Sequence, residues 1–186
     1  MIVIGIDNGL SGGICAISRQ TGGIIAKTPM PTVQREREME IDAVSLVKWI
    51  KSTLANQDAV IFIEACPPHA QQKSTMRSMG ISYGIISGAI RATLSWCEVE
   101  IVRSGNPLDS WQKILLGKQE KGGNKTAAVK LAAEIWPDES FIPDGCWMPN
   151  TGMIDAALIA HHGRNLLRER LGLVPQTDNK PKTKSK

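Results

Sequence analysis

Residues 2–13 read IVIGIDNGLSGG: five residues fit for a buried strand, an aspartate, then a turn rich in glycine. A strand that closes on a carboxylate is a strong constraint. Aspartate is disfavoured in strands, and a buried carboxylate is costly unless a positive group meets it. Asp7 therefore either opens the turn, as Asp and Asn favour doing, or holds a metal ion or a substrate proton.

The strands that follow limit the fold further. IVIGID and GICAIS are separated by a turn, and GGIIAKTP follows a second glycine-rich turn, which predicts a three-stranded antiparallel meander. PMPTVQREREME reads as a polar loop. Ile41, Val44, Val47, Trp49, Ile50 and Leu54 recur near the helical period, giving a helix over about residues 41–55. AVIFIE is wholly apolar until Glu64, so it should be a strand covered on both faces. A long helix running to about Cys97, a strand at EVEIVRS, and a helix in PLDSWQKILLG with Pro107 at its start follow. KTAAVKLAAEIW is a helix stopped by Pro137, and the last helix runs from about Thr151 to Leu171 with Gly172 as its stop signal. This order predicts an α/β fold with a five-stranded mixed sheet, the meander first and parallel strands after it.

Within the long helix Gly80, Gly84, Gly88 and Ala92 recur every fourth residue, leaving one face bare of side chains. Glycine costs about 1 kcal/mol per site in a helix, so the stripe points to close packing. The expectation is packing on the chain's own sheet, with a dimer contact or passage of a DNA backbone as alternatives.

Length and charge bound the partners. The 186 residues suit one domain, expected over 1–172, with residues 173–186 as a disordered basic tail. ISYGIISGAIRATLSWC is interrupted by Arg91 and should not span a membrane, and the first residues lack a signal peptide's basic region. Cys15, Cys66, Cys97 and Cys146 are scattered with no C-x-x-C spacing, which fits a reducing cytoplasm. From Arg103 to Lys130 six basic residues face two acids, and from Gln176 onward four lysines face one, so the remainder is slightly acidic. Two basic segments on an acidic body suit a polyanion such as nucleic acid, although solvated lysines alone would give the same pattern.

Three carboxylates then come into question together. If a crossover places the AVIFIE strand parallel to and beside the first strand, Asp7 and Glu64 emerge at the same carboxyl edge, where open α/β sheets bind ligands. Asp155, in NTGMIDAALIAHHG, lies in the first turn of the last helix on the side of Leu158, Ile159, His162 and Leu166. Alone it would serve the helix dipole. Gathered acids repel one another and call for a cation, and hard oxygen ligands select Mg²⁺ or Mn²⁺. On that reading Asp7 is a metal ligand.

At these residues the chain resembles the RuvC-type Holliday-junction resolvases of the ribonuclease H-like superfamily. The matching segments are IGIDNGLSGG, VIFIEA and GMIDAALIAHHGR, with SMGISYGIISGAI, WQKILLG and GGNK between them, in order over about residues 1–170. The compact form looks more like bacteriophage members than the bacterial housekeeping enzyme. The resemblance implies a homodimer that binds a four-way DNA junction and makes paired symmetric nicks, with Mg²⁺-dependent hydrolysis and two ions per site. Asp7, Glu64 and Asp155 take its acidic positions. Lys125 and Lys113 fall near its basic ones, and Lys118, Lys121 and Lys130 extend the DNA-binding set. The sequence departs from the family where a further ligand, commonly Asp or His, stands three or four residues before the last aspartate: here are Gly152 and Thr151, the latter expected as the helix N-cap. His161, His162 and His69 are weak substitutes.

IGIDNGLSGG also resembles the first phosphate loop of sugar kinases and actin-like ATPases, but this chain has one such lobe and no second phosphate motif after Glu64. No nucleotide cofactor is expected. A non-catalytic branched-DNA-binding protein and a nuclease for flaps or other branches are the remaining alternatives.

Overall fold

A computed structural model describes residues 1–36, 38–66, 73–103, 110–120 and 122–173. The helix start at Pro107, His69, Lys121 and the tail beyond Leu173 lie outside the described residues.

Strands β1 (Ile2–Asp7), β2 (Gly13–Ser18) and β3 (Ile24–Pro29) form the expected antiparallel meander. Strands β4 (Thr32–Arg35) and β5 (Glu38–Ile41) come next, then α1 (Ala43–Leu54) and β6 (Ala59–Glu64). Helix α2 (Lys73–Thr93) leads to β7 (Glu98–Val102), followed by α3 (Trp111–Leu116), α4 (Asn124–Ile135) and α5 (Thr151–Arg170). The five-stranded sheet has the order β3-β2-β1-β6-β7, with β6 parallel to both β1 and β7. The mixed sheet is therefore as the sequence predicts.

Strand alternation divides the core in two. Ile2, Ile4 and Ile6 of β1, with Ile61 and Ile63 of β6, meet Leu46, Ile50 and Leu54 of α1 and Ile86 and Ile90 of α2. Val3, Val60 and Phe62 point the other way, into a core shared with α3, α4 and α5. Helices thus cover both faces, which is why AVIFIE can be apolar throughout.

Some expectations change. The polar loop expected at 29–40 is instead largely a hairpin, β4 pairing with β5 from Thr32↔Ile41 to Arg35↔Glu38. Alternation there is masked by charged side chains on an exposed two-stranded ribbon. Helix α2 ends at Thr93, several residues before Cys97, and Asn150 rather than Thr151 caps α5, its Oδ1 accepting the Met153 N–H at 2.8 Å. Asp155 consequently sits in the second turn of α5, beyond the reach of a first-turn dipole effect.

The glycine stripe of α2 faces outward. Gly80, Gly84 and Gly88 are exposed, a Cβ at any of them would meet nothing within 4 Å, and Ala92 is exposed as well. The helix buries its opposite side, through Ser82, Ile86 and Ile90. Packing on the chain's own sheet is overturned.

Candidate active site

Register and alternation build the site. The β1–β6 pairing runs Gly5↔Phe62 and Ile6↔Ile63, so Asp7 and Glu64 end neighbouring parallel strands side by side. Both follow the alternation of Val3 and Phe62, which places them on the face covered by α5.

Helix α5 reaches that face because glycines let it. A Cβ on Gly5 would overlap the backbone at Ala156 and Ala160, and a Cβ on Gly163 would overlap the Phe62 ring. The helix lies directly on β1 at Gly5, and Asp155, one residue before Ala156, is brought within range of the Asp7 charge. The turn after Asp7 closes the same contact: Gly12 bridges to Gly152, and a Cβ on Gly152 would overlap the Gly12 backbone. Position 152, where the resemblance anticipates a further ligand, has no room for a side chain.

Asp7 also serves its turn. Its Oδ1 accepts the Gly9 N–H at 3.3 Å, and Gly12 N–H donates to Gly9 O at 2.9 Å. The turn reading of this aspartate therefore holds.

Glu64 is buried and held at two points. Its Oε1 accepts the indole N–H of Trp111 at 2.9 Å, and its backbone oxygen accepts the side-chain amide of Asn8 at 2.7 Å. Asn8 is wholly buried, and its Oδ1 has no hydrogen-bond partner among the described residues. The Asp7 and Glu64 carboxyls lie within hydrogen-bonding reach of each other.

All three acids hold their protons above the ordinary carboxylate range. Burial raises Asp7, opposed by the Gly9 N–H, the Glu64 hydrogen bond and the charge of Lys125. Burial and the charge of Asp7 push Glu64 up to about 8, with the Trp111 N–H working against them and the charge of Asp155 adding to them. Asp155 is pushed up to about 7, first by burial and then by the charge of Asp7, while Lys125 pulls it down. The three carboxyls therefore interact, although among the described residues no group of three or more His, Cys, Asp or Glu side chains stands close enough to hold one ion.

Among the described basic residues singled out in the sequence, Lys125, exposed at the start of α4, is the one whose charge acts on Asp7 and Asp155. Lys113 is half-buried on α3, Lys118 is exposed, and Lys130 pairs with Glu134 at 4.0 Å on the solvent side of α4. His162 is buried in the core and His161 is half-buried beside it. Burial lowers both, His162 to about 4, and the His161 ring meets Trp136 edge-on at 5.9 Å between centroids. The interaction that sequence reasoning missed is that of Trp111 with Glu64. Trp111 is visible at the head of a helix, but a tryptophan there signals core and says nothing of where its N–H ends.

No family model matches the sequence, and no curated protein matches it. Solved structures do. The structure of T. thermophilus RuvC in complex with Holliday junction substrate is 17% identical over 93% of this chain and 97% of that one, with a TM-score of 0.55. A second Thermus thermophilus RuvC structure is 18% identical over 93% of this chain and 98% of that one, also at 0.55. At such identity the likeness speaks for architecture, and there the agreement extends over nearly the whole of both chains. This chain shares the fold of those RuvC structures, a five-stranded mixed sheet with helices on both faces.

Proposed function

We propose that this protein is a metal-dependent, structure-selective DNA endonuclease that resolves four-way junctions by paired symmetric nicks. The observation that carries the reading is the mutual electrostatic action of Asp7, Glu64 and Asp155, three buried carboxyls from separate elements beside the carboxyl edge of a RuvC-type sheet. The T. thermophilus protein of the same fold was solved on Holliday junction substrate. For this chain, a four-way junction is accordingly the favoured substrate.

The donor set fits a hard divalent cation. Asp7 and Glu64 end neighbouring strands and both hold their protons above the ordinary range, as two desolvated carboxyls do when no cation neutralises them. Asp7 and Glu64 would hold Mg²⁺, or Mn²⁺ in its place, with Asp155 completing the acidic surround and phosphate and water oxygens filling the other positions. A bound ion supplies charge neutralisation at the scissile phosphate and a water acidic enough to attack it. A second ion would depend on Asp155 and the substrate, because Gly152 packed on Gly12 offers no ligand. Lys125, at the rim, would stabilise negative charge growing on the phosphate. The DNA would run over α3 and α4, which carry Lys113 and Lys130, and over the segment joining them, which holds Lys118 and, in sequence, Lys121. Two nicks of like polarity require two sites related by a two-fold axis, so the acting species would be a homodimer. Among the described residues no helix is long and apolar enough to cross a membrane.

The test is cleavage of an end-labelled four-way junction with Mg²⁺, against linear duplex and flapped controls. The wild-type chain should cut the junction at paired positions. Asp7→Asn, Glu64→Gln and Asp155→Asn should each abolish cutting and leave junction binding intact or tighter. A junction bound yet uncut with either Mg²⁺ or Mn²⁺ would favour a non-catalytic branched-DNA-binding protein, which the lack of room for a ligand at position 152 also favours. Equal cutting of flaps would widen the substrate class.

A further inference from the structure

We propose that Trp111 is a positioning residue for Glu64, its indole N–H fixing one carboxylate oxygen so that the other is presented to a divalent cation. The proposal rests on the metal-dependent reading above.

The geometry is specific. Trp111 is 1% exposed, and its Nε1 lies 2.9 Å from Glu64 Oε1, joining α3 to the end of β6 across 47 residues of sequence. An indole nitrogen donates and never accepts, so this hydrogen bond commits Glu64 Oε1 to the acceptor role. A glutamate has three rotatable side-chain bonds, and pinning Oε1 leaves Oε2 as the oxygen whose direction the protein still chooses.

The donor is itself held firmly. The backbone N–H of Trp111 donates to Arg103 O at 3.0 Å, just past the end of β7, and β7 pairs with β6 through Glu64↔Val102. Ser110 caps α3 by accepting the Lys113 N–H at 3.2 Å. Backbone and side chain of Trp111 thus bind the ends of two adjacent strands at the edge where the acids meet. The competing account is structural: a buried indole needs an acceptor, and Glu64 happens to supply it. The two accounts differ in what they say about metal affinity, because partners behind a ligand typically set it by factors of roughly 10 to 100.

The test is Mn²⁺ binding to the full chain without DNA, read from the electron paramagnetic resonance of free Mn²⁺, with folding checked by circular dichroism. Wild type, Glu64→Gln and Trp111→Phe are compared. Trp111→Phe should stay folded and bind Mn²⁺ about 10-fold more weakly, while Glu64→Gln should lose the site. Weakening by Glu64→Gln alone would overturn the positioning role and leave the metal reading standing. Mn²⁺ binding indifferent to Glu64→Gln would overturn both. A second measurement keeps residue 111 intact, in case phenylalanine there prevents folding. In the ¹⁵N-labelled wild-type chain, Mn²⁺ should broaden the Trp111 indole resonance before those of Trp49, Trp96, Trp136 and Trp147. Broadening no faster than theirs would overturn the proposal.

Discussion

A carboxyl group buried against another carboxyl keeps its proton to higher pH, because ionising both places two like charges where water cannot screen them. Asp155 and Glu64 are in this position, and the consequence is a stability that depends on pH. Unfolded, each acid ionises in the ordinary carboxylate range; folded, Asp155 does so near about 7 and Glu64 near about 8. Between those limits the native chain binds more protons than the unfolded one, so metal-free stability should fall as pH rises through that window and level off above it. Thermal melting in a chelator should therefore show a lower midpoint at about pH 8 than at about pH 5. Asp155→Asn should flatten the trend, and Mg²⁺ at the higher pH should restore part of the loss. A midpoint that does not change with pH would mean that these acids are hydrated in the native state. At this scale the sequence is informative about the acids themselves, since Asp7 and Glu64 each end an aliphatic strand and nothing apolar explains them. It is silent about Asn8 and Trp111, whose importance lies in the direction of one N–H, which no pattern of residue types encodes.

Among the elements, α2 departs most from expectation. The period of Gly80, Gly84 and Gly88 is plain in the sequence, yet a residue without a side chain carries no sign of which way it faces. The answer lies with Ser82, Ile86 and Ile90, which claim the core for the opposite side. A solvent-facing track of glycines costs helix stability and gains nothing within one chain, since a Cβ there touches nothing. Contact between two copies would explain it, as bare backbones approach closely across a two-fold axis. Gly84→Leu is a clean test because the monomer has space for the side chain. The variant should fold and melt at or above the wild-type midpoint but sediment as a monomer, bind junctions poorly and lose paired nicking. A fully dimeric Gly84→Leu would remove α2 from the interface. The β4–β5 hairpin escapes sequence reasoning for a related reason: Gln34, Arg35, Glu38 and Glu40 make it resemble a loop, and its pairing depends on register instead of burial.

For the molecule as a whole, sheet order and the two-sided core are legible because strands of aliphatic residues leave few ways to be covered. Charge is legible only as a distribution. The four lysines from Gln176 onward lie outside the described residues, so their role is a matter for solution measurement. If they meet phosphates, deleting the chain after Gln176 should reduce the slope of log affinity against log salt by roughly 0.9 for each phosphate left unneutralised, with a larger effect on linear duplex than on junction. Binding measured at several salt concentrations would decide it, and an unchanged slope would show that the tail never touches DNA.

The close approach of Gly12 to Gly152 also governs which sequences can be reached from this one. A side chain at 152 collides with backbone, so no single substitution there can be tried without moving the turn at 9–13, and that turn is fixed at Asp7. A change at Gly12 meets its own obstacle, since a Cβ there would overlap the carbonyl of Asp7. Each residue thereby forbids its neighbour's alternatives. A lineage that has closed this gap can recover a ligand at 152 only by first rebuilding the loop that holds its leading aspartate, and the intermediate on that path has a displaced Asp7. Laboratory selection for a fuller set of metal ligands should accordingly find its solutions away from position 152, or through an insertion in the turn.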